Sequence, residues 1–504
     1  MTAALLCNDI QQFMSGLPSG VVVEDGDVAF NLADSKYSLS SENDRCVLHL
    51  WSSERNSVRR VIDLERKSGN LHLTVARLGR PRPSLLKICR CIDPKQPKDR
   101  ELRRKAHDRL LGRVLLKTFP NFRIVKLKSS MDLEHSFGPA YARGVLRSGS
   151  KTFAVVGVNA GEPQATVNGA LTVGLLWLHY LRESSAGQYW VSGLKLVVPS
   201  GCSDVVRARI KHLDRSAAQL ELYEMDEYSE CLEPIDTSID FPCERIVHCP
   251  NRTSAFERFA PHITKVREIV PECEVSVISP AKISFRVLGL EFAQANLAGS
   301  IHSTNDIVFG QERVVLSPDT EPLLRAFAMQ LQKTRRSAKE RLWRSHPERW
   351  LQSLVAKHLR IINPKFDLDR VYERVPECRV SGRQVGDLLT RSDAGRLAVL
   401  AISGDEDMHF ALQALDYWSH VTRHHDRSEF SEFGYFRPEE VDQGRPELHL
   451  IAPAFRIHPA SETLLRYFSP AISWTLVAVN ENWRKGLRVV FRKRREDIAA
   501  AQNR

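Results

Sequence analysis

The residues with the clearest chemical potential lie between Asp387 and Trp418. Asp387 heads a short apolar run. A second run, Arg396 to Ile402, passes through Ser403 into an acidic cluster of Asp405, Glu406 and Asp407, and a helix-type pattern then carries Gln413 and Tyr417. Carboxylates brought together from neighbouring strands bind Mg²⁺, which prefers oxygen ligands. A bound Mg²⁺ generates hydroxide near neutral pH and steadies a leaving phosphate oxygen. The same three acids also suit a helix N-terminus, where the dipole favours negative charge. His420 and His424 are spaced i, i+4 on the same helix, but His-Val-Thr-Arg-His lacks the glutamate of a zinc-protease motif, so they read as surface histidines. The chain contains no Walker-type loop, Rossmann glycine fingerprint or nucleophile elbow.

The elements that must hold these residues follow from periodicity. Between residues 19 and 92, short β-type runs alternate with turn signals at Asp25-Gly26, Ser68-Gly69 and Gly79 to Pro83, implying a small antiparallel β domain. From Asp99 the apolar residues Leu102, Ala106, Leu110 and Val114 recur at helical spacing. After this helix come a strand Phe122–Leu127, a helical insert Asp132–Leu146 and a strand Thr152–Val158. A helix Ala165–Arg182, a strand Leu194–Val198, a helix Val205–Leu213 and a strand Leu220–Tyr223 follow. Residues 225–244 read as an acidic linker. A small α/β unit then carries a strand Arg245–His248, a helix Ala255–Ile269, a strand Glu274–Ile278, a helix Ala281–Leu297, two short strands near Val308 and Val315, and a helix Glu321–Gln332. The last unit opens on Ser345-His-Pro-Glu348, a capping-box pattern. It continues with strands at Arg370–Val375, Val385–Thr390 and Arg396–Ile402, a helix Met408–His420, a strand Leu448–Ala452, a helix Ser461–Phe468, and strands Trp474–Val479 and Leu487–Phe491. Alternating strands and helices imply mixed sheets covered by helices.

That order, with Asp387 on one strand and Gln413-Ala-Leu-Asp-Tyr417 on the helix after the next, resembles the PD-(D/E)XK nuclease superfamily, and within it the RecB-like Gln-x3-Tyr branch. The resemblance covers about residues 345–455. It implies a strand Asp at Asp387, an acid-x-lysine triplet on the following strand, and one or two Mg²⁺ ions. The triplet positions hold Ala401-Ile402-Ser403, so the acid and the lysine are both missing. Asp405, Glu406 and Asp407 are the candidates for a migrated carboxylate. Phe153–Glu162 lines up without gaps on Leu397–Glu406, and both are followed by an aromatic-containing helix (Trp177, Trp418) and then by Leu194–Pro199 or Leu448–Pro453. This pattern implies an internal duplication, residues 100–225 repeating 345–482. The first copy has Gly157 and Asn159 at the triplet positions.

The net charge of +11 over 504 residues is unevenly placed. Lys87–Lys128 holds 14 basic and 4 acidic residues, including Arg103, Arg104 and Lys105, and Arg484–Arg495 holds 7 basic residues and no acid, including Arg492, Lys493 and Arg494. Lys333–Arg360 is a third basic cluster, whereas Glu221–Asp240 is acidic. Concentrated positive charge attracts nucleic acid through phosphate neutralisation. The first residues lack the basic region of a signal peptide, and the most apolar helix, Val167–Leu181, is short of the roughly 20 residues of a membrane span. Cys89-x-Cys91 and Cys243-x5-Cys249 are the only close cysteine pairs, which fits reduced thiols in a cytoplasmic protein better than a zinc site.

Together these features predict a multidomain α/β protein. Its expected parts are a β-rich domain (1–95), a diverged nuclease-like module (96–225), a small α/β unit with an acidic linker (226–332) and a PD-(D/E)XK-like module (333–504). The expected function is non-catalytic nucleic-acid binding or scaffolding, with no cofactor and no membrane partner. A divergent Mg²⁺-dependent nuclease using Asp387 with a migrated acid, and a purely protein-binding scaffold, remain open on the residues alone.

Overall fold

The computed structural model describes residues 2–15, 17, 20–24, 27–32, 36–42, 45–51, 56–67, 70–76, 83–90, 97–132, 135–184, 190–238, 246–297, 306–373, 375 and 387–497. The turn signals at Asp25-Gly26, Ser68-Gly69 and most of Gly79–Pro83, together with Cys91, Cys243, Arg245, Val385 and Gly386, lie outside the described residues. The chain is a mixed α/β, multidomain protein with four sheets and 14 α-helices among the described residues. It divides into two compact units, one of Met1–Arg207 with Gln219–Asp236 and one of Ala208–Ala218 with Thr237–Arg504.

In the first unit, α1 (Ala3–Ser15) precedes β1 (Gly20–Glu24), β2 (Asp27–Asn31), β3 (Lys36–Glu42), β4 (Arg45–Trp51), β5 (Asn56–Lys67), β6 (Asn70–Ala76) and β7 (Ser84–Arg90). These strands form an antiparallel sheet in the order β2-β1-β7-β6-β5-β4-β3. Strand alternation puts Cys46, Leu48 and Leu50, and Leu71, Leu73 and Val75, on one buried face. α1 covers that face with Leu6, Ile10, Phe13 and Met14, residues at helical spacing. The seven described cysteines are free thiols, and the Cys7 thiol donates to Cys46 Sγ at 3.0 Å beneath α1.

The second sheet is built from α2 (Pro97–Thr118), β8 (Arg123–Lys128), β9 (Tyr141–Ser148), β10 (Lys151–Val158), α3 (Gln164–Asn168), α4 (Ala170–Ser184), β11 (Val191–Pro199), α5 (Asp204–Ile210), β12 (Gln219–Asp226) and β13 (Cys231–Pro234). The expected helical insert Asp132–Leu146 is not helical. Asp132 and Phe137 bridge each other across a turn, Gly138-Pro139 blocks a helix, and Tyr141 onward forms β9. The expected helix Ala165–Arg182 divides into α3 and α4 at Gly169. The acidic linker is partly a strand, because β13 pairs with β12 at the sheet edge, where both strands leave their carboxylates accessible to water.

In the second unit, α6 (Arg252–Arg258) and α7 (Ala260–Ile269) meet at Phe259-Ala-Pro261, which splits the single helix expected there. β14 (Glu274–Ser279), β15 (Lys282–Val287), β16 (Leu290–Asn296), β17 (Ile307–Phe309) and β18 (Val314–Val315) form an antiparallel sheet in chain order, backed by α8 (Glu321–Arg336). The helix expected over Ala281–Leu297 is therefore a hairpin. Ile283, Phe285 and Val287 alternate inward, and Leu288 (φ +49°) and Gly289 (φ +76°) make the two-residue turn. Residues 246–250 are irregular rather than a strand, and are held by Tyr435 Oη donating to the Val247 carbonyl and Cys249 N donating to Phe433 O.

The fourth sheet comprises α9 (Arg341–Arg344), α10 (Pro347–Lys357), α11 (Leu359–Ile362), β19 (Tyr372–Glu373), β20 (Leu388–Arg391), β21 (Leu397–Ile402), α12 (Phe410–Asp426), α13 (Glu429–Glu432), β22 (Glu447–Pro453), α14 (Ala460–Arg466), β23 (Trp474–Val479) and β24 (Val489–Arg494). The capping box does not form. His346, at φ +49°, is the N-cap of α10 with Pro347 in the first turn, while Ser345 Oγ donates back to Arg341 O at 3.1 Å. Both six-stranded sheets keep chain order and share one pairing sequence: antiparallel, antiparallel, parallel, parallel, antiparallel.

The β15–β16 turn supplies a direct check on the third sheet. A Cβ on Gly289 would lie 2.3 Å from the Arg349 carbonyl oxygen, in a backbone region that disfavours side chains. Gly289→Ala should cost about 2 kcal/mol or more in urea unfolding. A loss below about 0.5 kcal/mol would contradict the turn.

Candidate functional site

The site expected around Asp387 is built by three elements. β21 is apolar and buried throughout, and β20 pairs with it from Leu388↔Leu400 to Arg391↔Leu397. Asp387 immediately precedes this ladder, at the level where continued pairing would reach Ala401. Asp387 is 8% exposed, and its carbonyl accepts from Gln352 Nε2 of α10 at 3.3 Å. Ala401 presents only a methyl group and is fully buried.

Ser403 leaves the strand, with its amide donating to Ile451 O at 2.9 Å and its hydroxyl donating to the Asp405 carbonyl at 2.8 Å. Gly404 lies against the first turn of α10, where a Cβ would stand 2.7 Å from Glu348 N. Asp405 and Glu406 are exposed beyond it. Asp407 Oδ1 accepts from the His409 amide at 2.8 Å, closing the turn that leads into α12. Arg484, whose guanidinium burial pushes downward in pKa, feels the opposing charge of Asp405.

The helix motif residues are engaged differently. Tyr417 Oη donates to Val375 O at 2.7 Å, tying α12 to the segment after β19. The side-chain oxygen of Gln413 is buried with no hydrogen-bond partner among the described residues. Among the described residues no group of three or more His, Cys, Asp or Glu is placed to hold a metal ion.

The expectation of surface histidines on α12 fails, because that helix is enclosed on nearly every side. His424 is 1% exposed and its Nδ1 is held by Glu429, while His425 Nε2 meets the Gly444 carbonyl at 3.1 Å. Burial pushes His420 down to about 4. Sequence reasoning also missed Asp416 inside the Gln413–Tyr417 stretch. Its carboxylate takes a two-pronged bond from Arg209 (2.8 and 2.7 Å), and His212 Nε2 lies 2.8 Å from Ser419 Oγ one turn on. The only sequence signal was a charge set among Ala414, Leu415, Tyr417 and Trp418 on a helix with no polar face.

In the first unit, Gly157 of β10 pairs with Ala142 of β9, and a Cβ there would strike Leu111 of α2 at 2.4 Å. Asn159 Oδ1 accepts from Gly161 N at 2.6 Å. His107, buried under α2, lies 3.4 Å from Glu227, which also accepts from Ala160 N. Burial alone would raise Glu227, but the neighbouring His107 imidazole and the hydrogen bond from the Ala160 amide hold it below its usual range.

The basic candidates are largely spoken for inside the fold. Arg104 pairs with Glu162 at 2.8 Å, and Arg113 with Glu230 at 2.7 Å. Arg492 donates to the Ile361 and Ile362 carbonyls, and Lys493 pairs with Glu462 at 2.5 Å. Arg103 is half-buried, and Lys105 and Arg494 are exposed. Arg335 is fully buried and donates to the Leu342, Ser345 and His346 carbonyls. No described helix is long and apolar enough to cross a membrane.

No protein-family model matches the chain, and no curated protein matches it. A solved structure of EndoMS in apo form is similar at 14% identity, over 44% of this chain and 93% of that chain, with a TM-score of 0.15.

His420 gives the site a pH signature. Its proton binds the unfolded chain at about 6.5 and the folded chain only near 4, so stability is full above the unfolded value and falls as pH drops through that window. By pH 5 the loss should be about 2 kcal/mol, and His420→Gln should remove that part of the slope. Urea unfolding at pH 7.5 and 5 checks it, and an unchanged slope in the variant would contradict the burial of this imidazole.

Proposed function

We propose that residues 345–482 form a PD-(D/E)XK-type module that keeps the frame of a nuclease without its cutting groups, and that the protein binds nucleic acid without cleaving it. The reading is supported by the antiparallel β20–β21 pair, which Asp387 immediately precedes, running into parallel strands with α12 as the connecting helix and with only apolar residues on β21, Ala401 among them. In the superfamily the strand Asp meets the triplet at this level, and here the acid position of the triplet holds a methyl group. Ser403 spends its hydroxyl on a backbone carbonyl, and Asp407 spends a carboxylate oxygen on the His409 amide. These bonds hold the turn before α12, whose N-cap is His409 with no side-chain cap bond and no acid in its first turn, so the expected capping by the acidic cluster is replaced by a turn that occupies Ser403 and Asp407.

We further propose that residues 100–225 are a diverged copy. Support comes from the shared strand order and pairing sequence of the two six-stranded sheets, and from matching helices before each sheet and across each parallel connection. The four domains are proposed with boundaries near 95, 225 and 332, with β13 (Cys231–Pro234) completing the second sheet from just beyond the boundary near 225.

The test is fluorescence anisotropy with labelled DNA and RNA oligonucleotides from 50 to 300 mM salt, alongside cleavage assays in Mg²⁺, Mn²⁺ or EDTA. Binding that weakens log-linearly with salt, with intact oligonucleotide throughout, is expected. No binding at 50 mM salt would remove the nucleic-acid role and leave a protein scaffold. Metal-dependent cleavage lost in Asp387→Ala would establish the divergent nuclease instead.

A further inference from the structure

Two thiols meet beneath α1 in the first sheet. Cys7 lies on α1 and Cys46 on β4, 39 positions apart in sequence, and their Sγ atoms are 3.0 Å from each other. A disulfide holds its sulfurs at about 2.0 Å, so a movement of about 1 Å would join them. The two residues differ in their access to solvent. Cys46 is 1% exposed and belongs to the core that α1 closes with Leu6, Ile10, Phe13 and Met14, whereas Cys7 is half-buried at the rim of that core. The Cys7 thiol has a second acceptor, the Ser40 carbonyl of β3 at 3.4 Å, so its sulfur sits over the β3–β4 pair. Burial, with the Cys7 sulfur beside it, pushes the Cys46 thiol up, which keeps that sulfur protonated at neutral pH. A bulky oxidant can therefore reach Cys7 but not Cys46.

We propose that Cys7 and Cys46 are a redox-responsive pair, and that a small-molecule disulfide such as oxidised glutathione joins them into a cross-link that clamps α1 to the sheet. Cys7, the partly exposed member, attacks first as its thiolate. Its sulfur bonds to one sulfur of oxidised glutathione, the glutathione S–S bond breaks, and one glutathione leaves as thiolate. Cys46 then gives its proton to solvent and attacks Cys7 Sγ, expelling the second glutathione. The two cysteines together lose two electrons, and the glutathione disulfide gains them as two thiols. The cross-link closes a long loop that contains β1, β2 and β3, which removes much of the freedom of the unfolded chain. In a reducing compartment links of this kind are transient and report redox state. The rival explanation is that both residues are small hydrophobes that only fill space under α1. Neither the pair nor its chemistry depends on the nucleic-acid reading above.

The experiment equilibrates reduced full-length protein with glutathione buffers running from fully reduced to fully oxidised, quenches with N-ethylmaleimide in denaturant, and maps the peptides by mass spectrometry without reduction. A linked Cys7–Cys46 peptide should accumulate as the oxidised fraction rises, and dithiothreitol should return it to two alkylated thiols. Hydrogen exchange of the α1 amides should slow about tenfold or more in the linked protein. Cys7→Ser, checked for folding by circular dichroism, should show neither the link nor the slowing under the same oxidant. Mapping of the wild type decides the pair even without the variant. Cys7 that stops at the glutathione adduct, with Cys46 recovered as an alkylated thiol, would overturn the pair. Recovery of both cysteines as alkylated thiols at every buffer ratio would overturn it equally, and they would then be packing residues. A link that leaves α1 exchanging at its reduced rate would overturn the clamp.

Discussion

The second unit depends on satisfying α12, a helix buried on nearly all sides although six of its residues carry polar side chains into the interior. A buried charge without a partner costs several kcal/mol, so each of these groups dictates where another segment must lie. Asp416 requires Arg209, Ser419 receives His212, His424 is held by Glu429, and Trp418 Nε1 donates to Pro446 O. Arg209 and His212 come from residues 208–218, which the Leu213–Phe468 bridge and the Arg495 bonds to the Phe468 and Ser469 carbonyls further secure within this unit. The Arg209–Asp416 pair is a condition of burying the helix more than a source of net stability. α12 in turn supplies Gln413 and Tyr417 beside the strands that carry Asp387.

Around Asp387 the polar groups are absorbed by local structure: Ser403 by a carbonyl, Asp407 by an amide, Tyr417 by Val375. Much of the basic surface is absorbed too, by Glu162, Glu230, Glu462 and the end carbonyls of α11.

Much of the strand framework was legible because it is apolar. Thr152–Val158, Arg396–Ile402 and Leu448–Ala452 are runs too hydrophobic to be anything but core, and each is a central strand. Errors came where two periods compete. Ile283, Phe285 and Val287 alternate, but Leu288-Gly-Leu and the alanines after it mimic a helix, and only the positive φ of two residues turns the chain. The N-terminal helix α1 was passed over because its five buried residues are spread among polar ones. Features that depend on tertiary pairing were out of reach. Arg209 and Asp416 are 207 residues apart, and Cys7 meets Cys46 only because α1 packs across β4.

In the function proposed here, Asp387 does not hold a catalytic metal ion. Mn²⁺ titration of the full-length protein, followed by the loss of the free-ion electron paramagnetic resonance signal, tests it most directly. Wild type and Asp387→Ala should give superimposable curves, with no site tighter than about millimolar attributable to this carboxylate. A stoichiometric site in the micromolar range that disappears in Asp387→Ala would contradict the proposal and favour a metal-dependent activity instead.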